Sequence, residues 1–488
     1  MAKHCGRDMA ADGIPSYIAG MDENQSLFAA LRQSSDDKTV DVIERLVKEG
    51  DDRELVRVNA VAFAKQHGLE ESAVIGTLLH AARLGMFDLS WNVLCPGCGG
   101  VLDTNATLKT IQKSEYSCTL CAEDYEPTLD EMIEVTFTVT PRVRKIAAHS
   151  PHDLSPIEYF RQIYFGSGLE IPDDFEKVFE AVTIESLDLP PGDKAIVSLQ
   201  LPADFLIVCD PVTHTAQFLD VKGEPVRERQ SLTMIFDRDL PQYPTIEMRP
   251  GPLRISMENR TATRVLPTIF VAGDPLHDFM KNRRPFLTAK QLLSNQTFRD
   301  IYRTDTLDVD QRLKITSLTF LFTDLRGSTE LYERVGDLVA FDLVRTHFNV
   351  LTAIVASEAG AVIKTIGDAV MATFPTPDRA VAAAIRMRDA MRDLNRERER
   401  EDLLLKIGIH EGPCIAVTMN ERQDYFGQTV NIASRVQGLA TSSEIFATSS
   451  VIGDPRTSGV LEKSGIVPRN QSLPLRGIAS EVTVFALP

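Results

Sequence analysis

Apolar residues recur at helical spacing from Asp378 to Arg400, where Ala380, Ala384, Met387, Met391 and Leu394 fall on one stripe. The charge run that follows, REREREDL, reads as a solvated tip. Between Lys194 and Ala272 the period changes to short alternating runs: AIVSLQL, FLIVCD, TAQFLDV, SLTMIF, TIEMRP, LRISMEN and TIFVAG. Turn residues separate them at short intervals, which predicts an all-β, sandwich-like domain. Upstream, Val40, Val42, Ile43, Leu46 and Val47 mark a helical stretch opened by Asp36, Asp37 and Lys38. Helices are expected from Arg53 to His67, ended by Gly68, and from Glu71 to Leu84, ended by Gly85. The strand DLSWNVL completes a winged-helix-like outline.

From Ile315 the pattern is βαββαβ, the order of a ferredoxin-like core. Its parts are the strand ITSLTFLFTD, two helices from STELYERVGD to VASEAG, and a hairpin of AVIKTIG and DAVMATF turning at Gly367. The Asp378 helix and the strands LLLKIGIHEG and CIAVTM follow, then the helix QTVNIASRVQG and the late strands EIFATSS and EVTVFAL. The expected divisions are 1–90 (helical, winged-helix-like), 91–145 (two CxxC pairs and following strands), 146–275 (a helical lead-in, SPIEYFRQIYFG, and the β-sandwich-like regulatory domain), 276–312 (a helical connector) and 313–488. The connector has a basic patch, and Asp305, Asp308 and Asp310 lead from it into the last domain. The whole is a multidomain α+β chain.

Composition narrows the partners. The 488 residues suggest about three domains. A net charge of -17, from 52 basic and 69 acidic residues, argues against a chain that grips nucleic acid or an anionic membrane. The would-be reading helix ESAVIGTLLHAAR has only Arg83 as a strong base. The N-terminus lacks the apolar core of a secretory signal, and no apolar run approaches the ~20 residues of a membrane span. The expected setting is cytoplasmic.

Four of the seven cysteines form Cys95-Pro-Gly-Cys98 and Cys118-Thr-Leu-Cys121, nineteen residues apart. That spacing fits a zinc ribbon, in which four thiolates close a structural tetrahedral Zn²⁺ site. A redox switch or plain packing are the other readings of the same residues. Cys209 and Cys414 read as small core residues, His410 as a strand-end packing residue and His214 as a solvated turn residue.

The chemistry concentrates between Leu318 and Phe374. Asp324 and Asp368 each stand at the edge of an apolar strand beside a tight turn, which suits a hard cation over a phosphate. The LRGST segment offers backbone N–H groups at a helix start, a cradle for a triphosphate, and Ser328 or Thr329 can also serve as the helix N-cap. Asn431 and Arg435 are four apart in a helix and share a face.

Three motifs, FTDLRGST, KTIGDAVMATF and DYFGQTVNIASR, occur in an order and spacing that resemble the catalytic domain of the class III nucleotidyl cyclases, over residues 313–488. The resemblance implies a homodimer with two sites across its interface. It implies that Asp324 and Asp368 bind two Mg²⁺ or Mn²⁺ ions per site, with Gly327, Ser328 and Thr329 around the triphosphate. It also matches Lys364 and Asp424 to the residues that read the base, Asn431 to the ribose-orienting group and Arg435 to the transition-state arginine. Adenine presents a ring-nitrogen acceptor and an amino donor, so a Lys donor and an Asp acceptor favour ATP; guanine reverses the pattern. The expected function is a soluble adenylate cyclase that makes 3′,5′-cyclic AMP and pyrophosphate under control of its N-terminal domains and an unidentified regulatory ligand or protein. The alternatives are a guanylate cyclase, or a nucleic-acid- or protein-binding regulator whose cyclase-like domain is non-catalytic.

Overall fold

The computed structural model describes residues 16–237, 245–302, 313–419, 422–441, 444–473 and 482–488. Asp305, Asp308 and Asp310 lie outside the described residues, as does the side chain of Thr329.

Helix α1 (Ser16–Arg32) precedes α2 (Asp37–Glu49), which Asp36 caps by accepting from Thr39 N–H. The single helix expected from Arg53 to His67 is broken. A 3-10 turn at Asp52–Leu55 is followed by α3 (Ala60–His67). Between them Arg57 adopts φ 47° and Val58 exchanges backbone hydrogen bonds with Phe137, so the chain is recruited to a sheet edge before Asn59 caps α3. Gly68, at φ 60°, ends α3 in the left-handed conformation.

Helix α4 (Glu71–Arg83) buries Val74, Ile75, Leu78, Leu79 and Ala81. Strand β1 (Phe87–Leu94) lies between β2 (Val101–Asn105) and a later strand. The hairpin of β3 (Tyr116–Ser117) and β4 (Asp124–Tyr125) carries the second CxxC pair, and β5 (Ile133–Val139) returns to pair antiparallel with β1. The expected boundary at residue 90 therefore falls inside β1.

Ser155 caps α5 (Pro156–Tyr159), which passes into a π-type turn at Phe160–Tyr164; α6 (Phe175–Val182) follows. A short strand β6 (Thr183–Ser186) precedes seven strands that match the seven alternating runs. They are β7 (Lys194–Leu201), β8 (Phe205–Asp210), β9 (Thr215–Val221), β10 (Gln230–Phe236), β11 (Ile246–Met248), β12 (Gly251–Asn259) and β13 (Thr268–Val271). They form sheets β10-β12-β7 and β11-β9-β8-β13-β6 around Leu206, Val208, Leu219, Met234 and Ile255. Cys209 is in the core, where burial pushes its thiol up.

His214 is not solvated as expected. Its ring lies 6.1 Å from Tyr164, its buried Nδ1 has no partner among the described residues, and burial pushes its pKa down to about 4.

The connector comprises α7 (Asp274–Lys281), α8 (Ala289–Leu293) and α9 (Gln296–Ile301). It is part of the core and not a spacer: Phe279, Leu287, Leu292 and Phe298 pack in one cluster with Phe87, Trp91 and Phe137. Its basic residues Arg283 and Arg284 donate to the carbonyls of Gly97 and Ser167.

The last domain runs β14 (Leu313–Leu325), α10 (Ser328–Val335), α11 (Asp337–Ser357), β15 (Ala361–Ile366), β16 (Ala369–Phe374), α12 (Pro377–Glu397) and β17 (Leu405–Met419). Its four strands lie antiparallel in the order β17-β14-β16-β15, the ferredoxin-like arrangement. Then come β18 (Arg422–Phe426), α13 (Gln428–Gln437), β19 (Ile445–Thr448), α14 (Ser449–Ile452), α15 (Pro455–Ser464), β20 (Arg469–Leu473) and β21 (Val482–Leu487).

Two strands were expected where β17 is continuous. Pro413 is tolerated there because it lies opposite a bulge, between the pairs Ile315–Cys414 and Leu318–Gly412. His410 consequently sits mid-strand, not at a strand end, with Nδ1 2.8 Å from Thr448 Oγ1; burial lowers its pKa to about 4. Cys414 is core, its thiol pushed up to about 12 by burial.

Contrary to the expectation from apolar runs, one helix among the described residues, α11, is long and apolar enough by length and composition to cross a membrane. Its Leu343, Val344, Leu351, Ile354 and Val355 are buried in the domain.

A Cβ on Gly408 of β17 would lie 2.1 Å from Gln437 N, so Gly408→Ala should push α13 off the sheet. The expected cost is about 1–3 kcal/mol, read as a lower melting temperature; an unchanged melt would contradict this packing. His214 and His410 titrate in the folded chain below the ordinary value of about 6.5. Between about pH 6.5 and 4 the unfolded chain therefore binds more protons, so their stabilisation is complete above that window and is lost as pH falls through it. Melting temperature followed from pH 7.5 to 4.5 should fall less steeply in His410→Asn than in the wild type; equal slopes would remove His410 from this account.

Candidate active site and a four-thiol cluster

The register of β14 against β16 pairs Thr323 with Val370, which sets Asp324 and Asp368 at the same end of adjacent strands. Ile366 and Ala369 close a two-residue turn in which Gly367 has φ 64°. Asp368 Oδ2 accepts from Leu325 N–H at 3.2 Å, and Thr323 Oγ1 accepts from Val370 N–H at 3.2 Å. Both aspartates are half-buried.

On the other side of β14, Lys406 stands directly opposite Asp324, its Nζ 3.4 Å from Oδ2. The sequence reading passed over Lys406; its place in an alternating strand was the available signal. It also passed over His347 of α11, which is fully buried, has Nδ1 3.4 Å from Met391 Sδ and feels the charge of Asp368.

Helix α10 begins at Ser328, separated by two residues from the end of β14 at Leu325. Its cap is Gly327, at φ 70°, and no side chain caps it; Ser328 is the first helical residue, which corrects its reading as N-cap. The N–H groups of this first turn have no intrahelical acceptor.

Lys364 and Asp424 meet within one chain, Nζ to Oδ2 at 2.5 Å. Lys364 follows a bulge in β15, where the register shifts between Val362 and Lys364. Asp424 is 8% exposed on β18 and also accepts from Tyr425 N–H at 2.9 Å. Asn431 is exposed and Arg435 half-buried, one turn apart on α13. Among the described residues no hydrogen bond or ion pair links Asp324 or Asp368 to Lys364, Asp424, Asn431 or Arg435. Apolar side chains stand exposed on the same domain, including Leu338 at 83%, Phe341 and Ile366, with Met419 and Phe426 on the strands of the Lys–Asp pair's side.

The two CxxC pairs converge. All four Sγ atoms lie within 4.8 Å of one another, with Cys95–Cys121 at 3.6 Å and Cys98–Cys118 at 3.4 Å. Backbone N–H groups of Cys98 and Gly100 point to Cys95 Sγ and Cys98 Sγ. Hydrogen bonding from Cys118 and Cys121 drives the Cys95 thiol's pKa down, while hydrogen bonding with Cys118 and burial drive that of Cys98 up. Cys95 and Cys121 are thus shifted down and Cys98 and Cys118 up, and full ionisation of the four calls for a cation.

Residues 21–300 match the model described as Family of unknown function (DUF5939), and residues 311–483 match the Adenylate and Guanylate cyclase catalytic domain. Curated relatives include the adenylate cyclase of Anabaena cylindrica, 32% identical over 150 residues that make 28% of this chain and 30% of that one. Adenylate cyclase 2 of Rhizobium meliloti (strain 1021) is 34% identical over 132 residues, 25% of this chain and 36% of that one. The chain thus spans about a third of the length of these relatives. Among solved structures, the adenylyl cyclase CyaB from P. aeruginosa is 26% identical and covers 36% of this chain and 96% of its own, with a TM-score of 0.32. With more than half of its length in the first match, the chain belongs to the Family of unknown function (DUF5939), and it carries a C-terminal class III adenylate and guanylate cyclase catalytic domain.

Proposed function

We propose that the chain is an adenylate cyclase, converting ATP to 3′,5′-cyclic AMP and pyrophosphate. The observation that carries this reading is the placement of Asp324 and Asp368 side by side at the start of α10. Two carboxylates next to free helix N–H groups fit hard divalent cations and a triphosphate, and Lys406 already supplies positive charge at that spot. Bound there, two Mg²⁺ or Mn²⁺ ions would supply Lewis acidity toward the phosphates and the ribose hydroxyl.

The chain's own groups then have distinct work. The first turn of α10, at Gly327, Ser328 and Thr329, holds the triphosphate through backbone N–H groups. Lys364 donates to the adenine ring nitrogen and Asp424 accepts from the amino group. Asn431 orients the ribose, and Arg435 meets charge developing on the α-phosphate oxygens. The O3′–phosphorus bond forms as the bond from the α-phosphorus to the bridging oxygen breaks. Pyrophosphate leaves with that electron pair, and the hydroxyl proton goes to solvent.

The aspartates and the base-reading pair do not contact each other within one chain, and apolar side chains stand exposed beside them. A homodimer would bring the aspartates of one copy to the Lys–Asp pair of the other and cover that surface. The N-terminal region regulates the site; the exposed side of its α4 carries Glu71 and a single arginine, Arg83, which speaks against nucleic acid as its ligand. A structural Zn²⁺ fits the four thiols. Tetrahedral Zn–S bonds put sulfurs about 3.8 Å apart, close to the 3.4 Å and 3.6 Å contacts in the cluster. Reduced thiols and an ATP substrate suit a cytoplasmic setting.

The purified full-length chain, given ATP or GTP with Mg²⁺ or Mn²⁺, should form cyclic AMP, and Asp368→Ala should lower kcat by roughly a thousandfold or more. Preferential formation of cyclic GMP would sink the assignment of Lys364 and Asp424. Elemental analysis should find about one zinc per chain, lost together with several degrees of melting temperature in Cys98→Ser. Protein that is folded and zinc-free after growth with zinc would rule the metal out.

A further inference from the structure

Helix α9 joins the two halves of the molecule. Its Phe298 is buried, meets Trp91 edge-on with ring centroids 5.8 Å apart, and stacks on Tyr302 at 5.2 Å. The Tyr302 hydroxyl donates to Leu79 O at 3.2 Å. These contacts fasten α9 to β1 and α4.

Other side chains of α9 meet the cyclase domain. Gln296 Oε1 accepts from Val362 N–H at 2.8 Å. Arg299 Nη2 donates to Ile363 O at 3.4 Å and to Gln423 O at 3.2 Å. Each of those carbonyls belongs to the residue just before a member of the Lys364–Asp424 pair.

Ile363 is the extra residue of the β15 bulge: Val362 pairs with Ala372 and Lys364 with Met371. Strands β15 and β18 are not neighbours in the sheet, so no backbone ladder holds them together. Arg299 bridges them with one planar guanidinium, beside a cavity of about 180 Å³ lined by Gln296, Tyr302, Val362, Arg422 and Gln423. Its Nη1 is buried and has no partner among the described residues.

We infer that Arg299 is a positioning residue for base selection: by tying Ile363 O to Gln423 O it sets the spacing of Lys364 and Asp424, and it transmits the placement of α9 by the N-terminal region to that pair. The inference rests on the reading of Lys364 and Asp424 as the groups that face adenine. A guanidinium suits the task because the two N–H groups of its planar Nη2 point in fixed directions, one to each carbonyl. A small displacement of a recognition group has a large effect on turnover.

The test measures kcat and KM for ATP and GTP in full-length Arg299→Met, Arg299→Lys, Gln296→Ala and Lys364→Glu beside wild type. Arg299→Met should raise the KM for ATP and lower the ATP-over-GTP ratio of kcat/KM roughly tenfold, with a smaller change in kcat. Arg299→Lys keeps the charge and stem, should recover part of the ratio, and carries the test alone if the Met variant does not fold. Gln296→Ala should leave the ratio within about twofold of wild type.

An unchanged ratio in both Arg299 variants overturns the inference, as does a Gln296→Ala effect equal to that of Arg299→Met, which would assign the effect to α9 docking as a whole. A ratio moved by Lys364→Glu but by neither Arg299 variant rejects Arg299 alone. A ratio unmoved by Lys364→Glu rejects the base-reading assignment and the inference with it.

Discussion

The register of β14 between β16 and β17 is the constraint on which the site depends. Antiparallel pairing of Thr323 with Val370 and of Asp324 with Lys406 places two carboxylates and an ammonium at one end of three adjacent strands. A slip of one residue would turn Asp324 to the opposite face of the sheet and bury it among Leu321, Phe374 and Met387. Close packing on both faces of β14 opposes that slip, because Leu318, Phe320 and Phe322 on one face and Leu321 and Leu325 on the other fill two different packed layers. The hairpin at Gly367 and the left-handed cap at Gly327 then turn the chain sharply on either side of the carboxylates.

The second constraint is continuity of the core. One apolar cluster runs from Phe28 and Leu31 through Trp91, Phe137, Leu292 and Phe298 to Leu313, Ile315, Phe320 and Tyr425. The family of unknown function and the cyclase domain therefore share packing, and the connector helices lie inside it. Polar ties follow the same path. Lys314 pairs with Glu126, Asp130 accepts from Thr316 N–H, and Arg283 reaches the Gly97 carbonyl in the first CxxC turn. A change in the thiol-bearing hairpin or in α4 has a packed route to β15 and β18, since interiors at close-packed density shift by rearranging and not by compressing.

Much of the architecture was legible along the chain because local rules agreed with the final fold. The seven alternating runs became seven strands, the α12 stripe became a buried helix face, and the order βαββαβ became the antiparallel sheet β17-β14-β16-β15. The misreadings fall where tertiary contacts overrode local preference. The helix expected across Arg53–His67 broke because Val58 was taken by the edge of β5. Pro413 looked like a strand end but sits at a bulge, and His214 looked like a wet turn but is covered by Tyr164.

What the sequence by itself determined is the chemistry: which residues carry carboxylates, thiols, a lysine, an asparagine and an arginine, and the turn and strand types that present them. Periodicity and motif spacing encode such local facts, since they depend on neighbours a few residues away. Only the tertiary structure decided what those groups meet. The four thiols converge within 4.8 Å although β2 and β3 lie between the two pairs, Lys364 reaches Asp424 across strands that do not pair, and α9 braces both from a segment that read as a helical connector. Each of these is a contact between residues 20 or more apart in the chain, set by register and packing. No single segment holds that information.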